Sequence, residues 1–317
     1  DLRADYICAQ NPPTQLVDET SPSVLAPAGD LIFRSKDGLY MRVAAESGTA
    51  VNGSASDLNN GHEHADASSF MLYIANIPLA LDPGYMDFDT HDEIRMAEHH
   101  NLILATNGDN FSGPEDATKC TIVNTFGNPK LEYGNVQTSY AFGHLNKLNR
   151  HVYFVRKSYF LIDDKIQYTS LASNPPAYRW SLHGNGSETD ASVGDYIPDE
   201  TNKSAVWQPA GQESGEEWKL YVQAGTIDNK NVGIGSLDLY KHGVNASTLK
   251  PHTTYFAQSQ AYEGTSGSTG FLSAIIPFQG STPAPTTNIN STDAHRSIYY
   301  VAKDNFKDFF VSRASSA

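Results

Sequence analysis

The sequence is a succession of short runs in which apolar and polar residues alternate, each closed by Gly, Asn, Asp or Pro, with almost no helical period. Alternation with period two gives each strand one apolar face, so a chain built of such runs must stack sheets to bury it. DLIFRSKDGLYMRV, from Asp30, holds a turn at Lys36-Asp37-Gly38. In SSFMLYIANIPLALDPGY, from Ser68, Phe70, Leu72 and Ile74 share a face and Ala75-Asn76 marks a turn. NLILATNG (101–108), TKCTIVNTFG (118–127) and VQTSYAFG (136–143) follow. RHVYFVRKSYFLIDDKIQ (150–167) reads as a hairpin turning at Arg156-Lys157-Ser158, with a further turn at Asp163-Asp164 because aspartate favours turns. Further runs come at 177–186, 204–209, 217–225, 253–264, 270–279 and 295–304. The spacing predicts an all-β fold: one large antiparallel β-sandwich of many strands over 28–317, after an extended lead-in over 1–27. Only Asp92–His99 reads as a short helical turn.

Composition narrows the function. With 36 Asp and Glu against 22 Lys and Arg the net charge is −14. Nucleic acid and anionic membranes both ask for a basic footprint, so neither is an expected partner. No apolar stretch is long enough for a transmembrane helix. The chain starts at Asp1 and its first methionine is Met41, which reads as a processed or trimmed chain. Cys8 and Cys120 are too few for a disulfide framework or a cysteine-based zinc site, and whether they pair stays open. Sequons begin at Asn52, Asn110, Asn185, Asn202, Asn245 and Asn290. Together with a texture rich in Gly, Ser, Thr, Asn and Tyr, they suggest a glycoprotein that is secreted, periplasmic or at the cell surface.

Histidine carries the chemistry. In Gly61-His62-Glu63-His64-Ala65-Asp66, an extended backbone points His62 and His64 to one face. Two such imidazoles can share a metal, or one can bind metal while the other does acid/base work. The bland alternative is a surface or hydrogen-bonded pair. His99-His100-Asn101 forms a second group, and Leu81-Asp82-Pro83-Gly84-Tyr85 places an acid at the end of an apolar strand. A His/Asp/His set with an open fourth position suits zinc better than magnesium or calcium.

These segments resemble a family. GHEHADASSFMLYIANIPLALDPGY, HHNLILATNG, RHVYFVRKSYFLIDDKI and YRWSLHGNG are similar, in this order, to the signature of the heparinase II/III-like polysaccharide lyases, over roughly 30–186. The resemblance implies zinc, structural in role, on His64, Asp82 and His100. It points His62 into a substrate cleft as the catalytic histidine and gives Tyr85 a place on the cleft wall, binding substrate. Where some members carry Asn directly before the first histidine, this chain has Gly61. The implied reaction is β-elimination on an acidic, uronic-acid polysaccharide, alginate-like or a glycosaminoglycan. The net charge favours carboxylate-only glycans over heavily sulfated ones.

Lyases of this family pair the sandwich with an N-terminal helical α/α toroid, which supplies further catalytic residues; no helical half is present in this sequence. Full activity therefore implies a toroid partner chain or domain. The alternative from another class is a non-catalytic extracellular module, binding glycan or assembling into a surface structure. A metal-dependent hydrolase is less favoured, because Glu63 on a strand faces away from His62 and His64.

Overall fold

The computed structural model describes residues 23–25, 29–45, 64–84, 94–107, 110–114, 118, 120–139, 145–169, 177–226, 233–242, 249–260, 267–280, 284–293, 296–303 and 306–313. The strands in chain order are β1 (Ser23–Leu25), β2 (Asp30–Arg34), β3 (Leu39–Val43), β4 (Phe70–Ile74), β5 (Ile77–Ala80), β6 (Ile103–Asn107), β7 (Asn110–Ser112), β8 (Thr121–Asn128), β9 (Leu131–Thr138), β10 (Leu145–Val155) and β11 (Tyr159–Tyr168). They continue as β12 (Ala177–His183), β13 (Gly194–Asp199), β14 (Ser204–Pro209), β15 (Trp218–Thr226), β16 (Gly233–His242), β17 (Lys250–Gln260), β18 (Gly267–Gln279), β19 (Thr286–Asp293), β20 (Arg296–Lys303) and β21 (Phe306–Arg313). A 3₁₀ turn at Ala97–His99 falls inside the expected segment.

One layer is an eight-stranded sheet in the order β13-β14-β15-β18-β11-β10-β9-β8. Opposite it lie two five-stranded sheets, β1-β2-β3-β4-β5 and β16-β17-β12-β6-β7. Side chains from all three interdigitate in one core: Phe33, Met41 and Phe70 from the first small sheet, Tyr178, Trp180 and Tyr255 from the second, Phe154, Phe160, Ile162 and Ile275 from the large one. This is the antiparallel sandwich that the alternation predicts, because each apolar face meets another. The two small sheets are joined at one seam. Ala80 and Gly184 form an isolated bridge, and the Leu81 and Asn185 amides donate to the His183 and Leu79 carbonyls.

The outer face of the large sheet has its own apolar cluster, including Tyr159, Leu161, Tyr221, Leu272 and Ile276. A three-stranded sheet, β19-β20-β21, covers it. Phe310 packs edge-on against Tyr153, the Tyr159 hydroxyl donates to Asp308 at 2.8 Å, and Ser312 donates to Asp163 at 2.7 Å.

Expected turns at Lys36–Gly38, Ala75-Asn76 and Arg156–Ser158 are present, with Gly38, Ala75, Asn76, Arg156 and Lys157 at positive φ. The turn expected at Asp163-Asp164 is not there. Both aspartates lie buried inside β11, which runs unbroken to Tyr168. Ion pairing of Asp164 with buried Arg150 outweighs the turn preference of aspartate. Ser23–Leu25, within the stretch read as a lead-in, pairs with β2. Strand β13 shows no apolar alternation because it is an edge strand, with Tyr196 its one large side chain turned inward and Pro198 at an edge position.

Asp163 is pushed up to about 6 from 3.8, chiefly by burial, with Asp164 adding to the shift and Lys165 and Ser312 opposing it. A raised carboxyl favours the fold below pH 3.8, and that contribution is lost as pH rises through about 6. Asp163→Asn is therefore expected to gain stability over the native chain by on the order of 2 kcal/mol between pH 4 and pH 8, read by urea unfolding at the two pH values.

Candidate functional site

The seam between the small sheets is where the sequence motifs meet. His64 to Ser69 form the loop entering β4, Asp82 follows β5, and His100 follows the 3₁₀ turn on the way into β6. His100 is wholly buried, and its Nδ1 lies 2.9 Å from Asp82 Oδ2. The other Asp82 oxygen accepts the Gly84 amide at 3.1 Å. The His64 ring stands with its centroid 5.3 Å from that of His100, tilted at 54°. His64, Asp82 and His100 are thus brought together from three separate segments. His62 and Tyr85 lie outside the described residues.

The electrostatics follow from burial and from this pairing. Burial works to raise the Asp82 carboxyl, but His100, by charge and hydrogen bond, and the Gly84 amide hold it well below the ordinary range. Burial likewise works against His100 ionising, and Asp82 overcomes it and raises the imidazole. Asp66, two residues beyond His64, is pushed up to about 6, first by burial and then by Asp82, against the pull of His100 and Arg42. Arg42 is held by Asp30, which accepts from its Nε at 2.7 Å and from the Ala45 amide at 3.2 Å. Burial disfavours the charged form of Arg42, yet Asp30, Asp66 and Asp82 together raise it. His183 is buried, with Nδ1 2.7 Å from Thr254 Oγ1. It is lowered to about 3 by burial and then by His99 and His100, so it stays neutral.

Two side chains fix the site. Asn101 Nδ2 donates to the Phe70 and Leu81 carbonyls at 2.7 Å each, and its Oδ1 accepts the His183 amide at 2.7 Å. Its own amide donates to Ser69 Oγ at 3.0 Å. One side chain therefore ties β4, the end of β5 and the end of β12 together, directly beside His100. Arg150, wholly buried on β10, forms a two-bond ion pair with Asp164 at 2.8 and 2.9 Å. Its Nη1 donates to the Ser68 and Asn101 carbonyls. The large sheet thus grips both the His64 loop and the His100 segment. The alternation pattern gave no sign of Arg150, Asp164 or Asp66 as site residues. Asn101, Asp66, Arg150 and Asp164 stood within the quoted motifs without a role in the site.

Imidazole and carboxylate donors of this kind suit zinc. His100 Nε2 is buried with no hydrogen-bond partner among the described residues. The donor set fits such an ion. In the arrangement described, however, Asp82 bonds to His100 directly, and among the described residues no three His, Cys, Asp or Glu side chains form a ready-made metal cluster.

A family model described as heparinase II/III-like, C-terminal, matches residues 28–288. Comparison with curated protein sequences gives no match. Among solved structures, a heparinase III superposes with a TM-score of 0.68 at 15% identity, over 92% of this chain and 42% of that one. The heparan sulfate lyase HepC from Pedobacter heparinus gives 0.67 at 15% identity, over 93% and 43%. At such identities the likeness is one of fold, and this chain spans less than half the length of either structure.

Arg150→Met leaves Asp164 charged and buried without its partner, and leaves two carbonyls without a donor. It is expected to cost about 3–5 kcal/mol in urea unfolding, far more than Arg156→Ala at the exposed ion pair with Asp308.

Proposed function

Because the chain belongs to the heparinase II/III-like C-terminal family, we propose that it is the metal-bearing sandwich of a secreted or surface polysaccharide lyase. The reaction is β-elimination on a uronic-acid glycan, with a helical toroid as partner. The observation that carries this reading is the buried Asp82–His100 pair with His64 against it, clamped by Asn101 and Arg150.

β-Elimination needs three things from a site. A base takes the C5 proton, the neighbouring carboxylate is neutralised so that the enolate-like intermediate does not carry excess charge, and the leaving oxygen receives a proton. His62 is assigned the carboxylate or a proton transfer, and Tyr85 the cleft wall. His64, Asp82 and His100 would hold the zinc, which when bound supplies a fixed charge that pins the His62 segment. That role is one of positioning, and no contact with substrate is assigned to the ion. Asn101 and Arg150 keep the ligand segments from drifting apart, as outer-shell partners do around metal sites.

Two measurements test the proposal. Metal analysis of the purified chain is expected to find about one zinc per chain, falling at least tenfold in His100→Ala and Asp82→Ala. Incubation with alginate, heparan sulfate or chondroitin sulfate, with and without the toroid partner, is expected to give ultraviolet absorbance from unsaturated uronate ends only with the partner. No such product in any mixture sinks the lyase reading.

A further inference from the structure

At the far end of β5 from Asp82 lies an open pocket of about 420 Å³. Five residue steps of near-extended chain lead from Ile77 in the pocket to Asp82, a span of about 16 Å. One wall is the tip of the β4–β5 hairpin with Asn76. Another wall is the end of β14 and the loop after it, with Gln212, Glu213 and Glu216, and Trp218, Asn185 and Gln279 also line the pocket. The volume is in the range of small-ligand sites.

The walls are cross-braced by hydrogen bonds. Gln212 Nε2 donates to the Pro209 and Trp218 carbonyls at 3.0 and 2.9 Å, and its Oε1 accepts the Trp218 amide at 2.7 Å. Gln279 donates to the Glu216 carbonyl at 3.0 Å, and the Gly280 amide to that of Glu217 at 2.8 Å. Asn185 Nδ2 donates to the Pro78 carbonyl at 2.9 Å, which uses one of its two N–H groups. Ordering entropy for these groups is thus already spent in the free protein.

The chemistry is selective. A tryptophan ring beside fixed amides matches a ligand that alternates CH faces with hydroxyl groups. Among the described residues no Lys or Arg lines the pocket, and its charged side chains are the exposed Glu213 and Glu216. A carboxylate or sulfate would enter against like charge with no counter-ion. We infer that this pocket is a binding subsite for an uncharged saccharide unit, separate from the His64–Asp82–His100 cluster. The inference shares the saccharide chemistry of the proposed function but needs neither metal nor elimination.

Trp180 and Trp207 are wholly buried, so Trp218 is the tryptophan open to solvent quenchers. Acrylamide quenching of tryptophan emission therefore reads the pocket. Cellotriose or chitotriose is expected to halve the quenching, and an alginate trimer to leave it unchanged. Asn185→Ala is expected to need at least fivefold more of the neutral trimer. The double variant Glu213→Lys with Glu216→Lys, both at exposed positions, is expected to gain protection by the alginate trimer. Protection by neither neutral trimer, or equal protection by the alginate trimer in the native chain, overturns the inference. His100→Ala is expected to keep the protection, and protection in a native chain that yields no unsaturated product with the toroid partner counts against the proposed function alone.

Discussion

The buried ion pair between Arg150 and Asp164 is the interaction on which the site depends. Two opposite charges taken wholly out of water cost desolvation, and they persist only where their remaining hydrogen-bonding capacity is met. Here the leftover guanidinium donors go to the carbonyls of Ser68 and Asn101, which belong to the two segments that carry the histidines. The large sheet therefore sets the separation of His64 and His100 through one side chain. Phe70, 5.5 Å beneath the guanidinium, adds a favourable aromatic face. Asn101 completes the arrangement from the other side, tying β4, β5 and β12 where the two small sheets meet.

The sandwich was legible from sequence because sheets stacked face to face impose period two. Phe70, Leu72 and Ile74 fall on one face as read, and the turns at Gly38 and Ala75-Asn76 close hairpins where their residue types favour it. The quoted motifs likewise located His64, Asp82 and His100, which do converge. Hidden from the pattern were the polar residues turned inward. Asp163 and Asp164 have the local chemistry of a turn, and only partners far along the chain, Arg150 and Ser312, explain why they sit in a strand. The edge strand β13 was hidden because it buries too little of its own surface to show a period, and β21 because Phe309 and Val311 face outward while Ser312 is buried.

Charge inside the site is unevenly distributed. Asp82 is held ionised by His100, whereas the Asp66 carboxyl nearby is pushed up to about 6 by burial and by Asp82 itself. Arg42 with Asp30 balances one side of this cluster, and neutral His183 closes the other. A like-charged pair of carboxylates pushed apart in acidity beside a raised imidazole is the kind of arrangement found where an ion or a proton is handled.

The terminal strands have a consequence for how the molecule behaves in bulk. The β19–β21 sheet roofs an apolar surface that includes Tyr159, Leu161, Leu272 and Ile276. Were the chain cut ahead of Thr286, that greasy plane would meet water over the middle of a wide sheet, and such planes drive self-association. The last strands thus act as a built-in guard against clumping, at a distance from the histidines.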